Sequence, residues 1–83
     1  MGKKPKNSEL DDIVYYYYLN EKYIDFQTLM YLIGKKKPFV WRLLIRLEIP
    51  YIIYLNRYLY KFDDIISSVE LMELIDIGKL GLD

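Results

Sequence analysis

Phe26, Leu29, Met30 and Ile33 recur at i, i+3, i+4 and i+7, the spacing of one face of an α-helix. Asp25 precedes them as a good N-cap, and Gly34 follows where helices commonly end, so the pattern predicts a helix of about two turns. The same spacing returns in Val40, Leu43, Leu44 and Leu47. Pro38 suits the first turn of this second helix, and Pro50 bars its continuation beyond Leu47 or Glu48. Lys35, Lys36 and Lys37 form the short connection, so the two helices read as a helix-turn-helix. After Pro50 the period changes. Tyr51 to Leu55 and Tyr58 to Phe62 are rich in β-branched and aromatic residues and flank Asn56-Arg57, which predicts a β-hairpin turning at those two residues.

The flanks are less regular. Residues 1–7 are polar and basic and read as a disordered arm. Ser8 with Asp11 resembles a capping pair for the segment Leu10 to Leu19, which includes four consecutive tyrosines, Tyr15 to Tyr18. The acidic first turn and the length favour a helix there, whereas the aromatic run favours a strand; the helix is preferred. Asp63 and Asp64 open a further helical segment, Ile65 to Ile77, with Ile65, Val69 and Met72 along one side and Ser67 with Glu70 as an alternative capping box. Gly78 closes it, and residues 79–83 read as a loose tail. No internal repeat is evident. Residues 8–78 therefore form one domain, as a length of 83 residues demands.

Composition narrows the function classes. The chain has no Cys and no His, which excludes disulfides, thiolate or imidazole metal sites and imidazole-based triads. Asp11/Asp12 and Asp63/Asp64 are adjacent pairs, better suited to helix starts than to facing acid–base carboxyls, and no Gly-rich phosphate loop is present. A non-enzymatic protein without cofactor or metal is expected. No apolar run approaches the ~20 residues of a membrane span, so a cytoplasmic location is expected. The net charge is zero but unevenly spread. Residues 35–61 carry Lys35, Lys36, Lys37, Arg42, Arg46, Arg57 and Lys61 against Glu48 alone, and such clustering is the footprint of polyanion binding.

The order of helix, basic turn, helix ending in Ile49-Pro50, hairpin and helix makes residues 23–66 resemble the excisionase-like, MerR-type winged helix-turn-helix domains. The run Ile33-Gly34-Lys35-Lys36-Lys37-Pro38-Phe39-Val40-Trp41-Arg42-Leu43-Leu44-Ile45-Arg46-Leu47-Glu48-Ile49-Pro50 keeps the family register without a gap. Asn56-Arg57, Tyr58 to Phe62 and Asp64-Ile65 are similar to the family's wing turn, following strand and acidic-aliphatic pair. Three positions depart from the pattern: Lys36 and Phe39 replace hydroxyl residues, and Leu47 stands where a Gly commonly ends the second helix. The resemblance implies an α+β, mainly α, small winged helix-turn-helix with a two-stranded β-hairpin wing. It implies double-stranded DNA binding in transcription regulation or DNA recombination. Contact by a monomer with so few cations is weak and salt-sensitive, so a homodimer or cooperative tandem binding is expected.

On that reading Lys35, Lys36 and Lys37 approach the major groove, Arg57 an adjacent groove, and Arg46 and Lys61 phosphates. Arg42 contacts phosphate or clamps Asp25, Asp63 or Asp64. Trp41 and Ile45 lie off the inward stripe. Trp41 is expected under the hairpin with Tyr51 or Tyr60, or else with Ile45 on a partner surface. Tyr15, Tyr16, Tyr17 and Tyr18 are expected in the core or at a homodimer contact. A protein-interaction module that keeps this fold without specific DNA recognition is the alternative.

Overall fold

A computed structural model describes residues 13–80; the expected basic arm, the Ser8 cap and the last three residues lie outside them. Two β-hairpins organise the chain. The first pairs β1 (Tyr16–Tyr18) with β2 (Glu21–Asp25), and the second pairs β3 (Ile52–Tyr54) with β4 (Arg57–Lys61). The inner strands β2 and β4 join antiparallel, giving one four-stranded sheet of order β1-β2-β4-β3. This α+β sheet extends beyond the expected two-stranded hairpin. The tyrosine run forms strand rather than helix. Its ladder to β2 matches Tyr16 with Tyr23 and Tyr18 with Glu21, a pairing that β-preferring aromatic side chains favour.

The two hairpins are copies of one pattern, so the chain does contain an internal repeat. Tyr15, Tyr18, Leu19, Asn20 and Phe26 recur 36 positions later as Tyr51, Tyr54, Leu55, Asn56 and Phe62. Both turns are two-residue turns with positive φ at each central residue: 51° and 66° at Leu19 and Asn20, 50° and 65° at Leu55 and Asn56. That twist matches the flanking strands of a hairpin. The second turn is therefore Leu55-Asn56 rather than Asn56-Arg57, and Arg57 opens β4 opposite Tyr54. Ile24 faces its own counterpart, Tyr60, across the central pair, so the hairpins are related by a local pseudo-twofold. The repeat is hard to see in the sequence because strands tolerate exchange within a burial class, as Ile24 with Tyr60 shows.

Each hairpin runs directly into a helix, α1 (Phe26–Ile33) after β2 and α3 (Phe62–Ile66) after β4. Asp25 caps α1, accepting a hydrogen bond from the Thr28 N–H at 2.8 Å. Gly34 ends that helix at φ 76°, a left-handed position with little penalty for glycine. α2 (Lys37–Arg46) follows after Lys35-Lys36 and begins with Pro38 in its first turn. Its C-terminus is a Schellman turn in which the Ile49 N–H donates to Leu44 and the Glu48 N–H to Ile45. Glu48 takes the left-handed conformation there, at φ 57°, and Leu47 stays right-handed.

The expected helix Ile65 to Ile77 is broken into three. α3 ends at Ser67; α4 (Val69–Leu74) is capped by the Ser68 hydroxyl, which accepts from the Leu71 N–H at 3.3 Å; α5 (Ile77–Leu80) includes Gly78. Consecutive serines compete for backbone groups and restart the helix, and the cap is Ser68 rather than Ser67. Lys79 and Leu80 are helical, with Leu80 buried. Ile24 and Tyr60 face the helices and close a core over Leu29, Leu32, Val40, Leu43, Leu44, Ile65 and Leu71. The α5 segment is tied to α1 by the Asp76 N–H on Leu32 and the Lys79 ammonium on the Tyr31 carbonyl.

Candidate nucleic-acid interface

The basic residues of the middle segment do not act as one group. Lys35, Lys36 and Lys37 stand exposed at the α1–α2 connection, and Arg42 is exposed one to two turns further along α2. None of the four has an acidic partner among the described residues. Lys35 instead lies 5.5 Å from the centre of the Phe39 ring, so Phe39 faces a cation with its π face. Arg46 is different. Its guanidinium grips the Glu70 carboxylate of α4 with both terminal nitrogens. The hydrogen bond lowers the Glu70 pKa and raises that of Arg46, so both groups stay charged and the guanidinium is engaged by a bidentate carboxylate at the surface. Lys61 closes β4 at the end opposite Arg57, roughly 13 Å away at strand rise, and does not join the cluster.

Arg57 is placed by the fold rather than left at a free tip. Its guanidinium is 3.5 Å from the Asp25 carboxylate, a diagonal neighbour across β2 and β4. Asp25 is buried and also accepts from the Tyr16 hydroxyl at 3.2 Å. Burial first, and the Asp25 charge second, push the Tyr16 hydroxyl pKa up, which keeps it a donor at ordinary pH. One carboxylate thus links β1, α1 and β4. The repeat inverts these charges: Lys61 occupies the position equivalent to Asp25, and Glu21 that equivalent to Arg57.

A groove of about 830 Å³ opens between the start of α2 and the second turn. Lys37, Pro38 and Trp41 of α2, Asn56 and Arg57 of the second hairpin, and Asp25 with Phe26 are among its lining residues. Trp41 packs edge-on against Tyr58 at 5.2 Å and Phe26 at 5.6 Å, so it lies under the second hairpin but not against Tyr51 or Tyr60 as expected. Ile45 is 59% exposed, one turn along from Arg42. Within the tyrosine run, Tyr15 meets Phe62 edge-on at 5.6 Å, while Tyr17 and Tyr18 are exposed. The sheet brings Arg57 to the α2 start, a juxtaposition that no spacing in the sequence reveals.

No family model, curated protein or solved structure matches this chain.

Among the described residues no group of Asp and Glu is placed to hold a metal ion, and no helix is long and apolar enough to cross a membrane.

Proposed function

We propose that this protein binds double-stranded DNA without catalysing a reaction, through the start of α2 and the second hairpin. The observation that supports this most is the groove that Lys37 and Arg57 line together, Arg57 beside Asp25, with Lys35, Lys36 and Arg42 near it; among the described residues the three lysines and Arg42 have no acidic partner. Helix start and hairpin would then hold adjacent stretches of one duplex, as the resemblance to excisionase-like and MerR-type winged domains implies. A regulatory or recombination accessory role follows from that resemblance. Arg46 and Lys61 are left out of this contact set, the first because Glu70 engages both of its terminal nitrogens and the second because of its distance.

The affinity is expected to be modest and strongly dependent on salt. The four cations without an acidic partner among the described residues give a slope of about −3.6 in log K against log salt, or about 150-fold weaker binding between roughly 50 and 200 mM. Polarisation titrations of a labelled random-sequence duplex at those two concentrations test it. Lys36→Glu with Lys37→Glu should abolish binding and leave the melting temperature near wild type. Unchanged affinity in that double variant removes the α2 start from the interface. A second reading rests on Ile45, exposed between Arg42 and Arg46: a protein-interaction module with the same fold. Absence of duplex binding by the wild type at the lower salt would favour it.

A further inference from the structure

β1 is an edge strand whose only neighbour among the described residues is β2. The two-residue turn makes Tyr18 and Glu21 the hydrogen-bonded closing pair, so Tyr18 and Tyr16 direct their backbone groups toward β2. By the alternation of the strand, the N–H and C=O of Tyr17 point away from the sheet. Edges of this kind are usually blunted by Lys, Pro, a bulge or a covering element. Among the described residues none of these is found at β1: Ile13 to Leu19 is seven residues without a charge, a proline or a glycine. Tyr17 is 71% exposed, and Val14, Tyr18 and Leu19 are exposed beside it.

We infer that β1 is a self-pairing edge, joining two copies of this chain antiparallel about a twofold at Tyr17. Tyr17 of one copy would face Tyr17 of the other as a hydrogen-bonded pair, with Tyr16 opposite Tyr18 and Tyr15 opposite Leu19. The two sheets become one of eight strands.

Three observations favour a second copy over another partner. The register is self-complementary, since a dyad at Tyr17 sets the outward-pointing N–H and C=O of Tyr17 against the same groups of its copy. The chain has no net charge to repel its copy. Among the described residues the nearest like charges are the two Lys22 side chains, cross-strand from Tyr17. Three strand spacings, or about 14 Å, separate them, beyond the ~8 Å screening length at physiological salt. The chain already joins its own two hairpins antiparallel about a local dyad at Ile24 and Tyr60, so the proposed contact repeats a geometry the sheet contains. The counterpart edge β3 is the weaker candidate, because its run without charge or proline is shorter and Pro50 precedes it without an N–H to donate.

The pairing is independent of DNA binding and is tested without DNA. Sedimentation of the full chain over a wide concentration range should show a reversible dimer. Tyr17→Lys puts two ammonium groups at the dyad on an already exposed position. It should give a monomer of unchanged melting temperature at low concentration. Tyr17→Phe and Ile53→Lys should remain dimeric. A wild type that stays monomeric throughout, a dimeric Tyr17→Lys, or dissociation by Ile53→Lys instead would each overturn the assignment. Should Tyr17→Lys fail to fold, amide exchange on the wild type decides. Protection at Tyr17 should rise with concentration while that at Ile53 stays constant, and the reverse or no change refutes the pairing.

Discussion

Replacing Asp25 by Ala removes three interactions through one side chain. The first is the cap on α1, a 2.8 Å bond from the Thr28 N–H, whose loss costs about 1 kcal/mol. The second is the Tyr16 hydroxyl at 3.2 Å, a further contribution of roughly 0.5–1.5 kcal/mol. The third is the Arg57 pair at 3.5 Å, which is half exposed on the arginine side and adds at most about 1 kcal/mol. Asp25→Ala should therefore cost roughly 2–3 kcal/mol. A domain of this length has about 4–12 kcal/mol in total at the usual stability per residue. Asp25→Asn keeps an equally good cap and an acceptor for Tyr16, so it should lose only the ion pair, less than about 1 kcal/mol. Urea unfolding followed by circular dichroism separates the two variants by their midpoints. A double-mutant cycle with Tyr16→Phe should return a coupling of roughly 0.5–1.5 kcal/mol, since both single variants remove the same bond. Equal midpoints for the Ala and Asn variants would refute the ranking of the cap above the charge. Strict additivity with Tyr16→Phe would refute the hydroxyl bond.

Leu43 is buried in the core from α2, and Leu43→Ala should cost roughly 2–5 kcal/mol, enough to unfold much of the population in a small domain; a near-native urea midpoint would show that α2 turns another face inward. Tyr60 lies in the core, and burial, with Tyr51 and Tyr58 beside it, pushes its hydroxyl up to about 12. A folded pKa raised above the unfolded value of about 10 means that the unfolded chain ionises first, so stability is intact below pH ~10 and falls by up to about 2.7 kcal/mol as pH rises toward 12. Tyr60→Phe should flatten that part of the alkaline stability profile relative to wild type, as read from urea midpoints at stepped pH; an unchanged profile would place the loss in other tyrosines.

Helices α1 and α2 were legible because their apolar residues repeat at the helical period and their ends carry local signals. Asp25, Gly34 and Pro38 each act within a few residues of chain, and each has the role its position implies. The second hairpin was legible for the same reason, although its turn lies one residue earlier. Four consecutive tyrosines carry no period at all, so Tyr15 to Tyr18 could not be assigned from within. Their strand depends on Glu21 to Asp25 offering a ladder, and β2 in turn depends on β4, some 36 residues away. The Asp25–Arg57 pair, the groove between Lys37 and Arg57 and the Arg46–Glu70 clamp have the same origin. Each joins residues whose proximity is set by strand register or helix packing, and sequence spacing has no information about either. Composition could say that cations cluster between residues 35 and 61. Only the packed sheet and helices decided which of them find a carboxylate and which, among the described residues, do not.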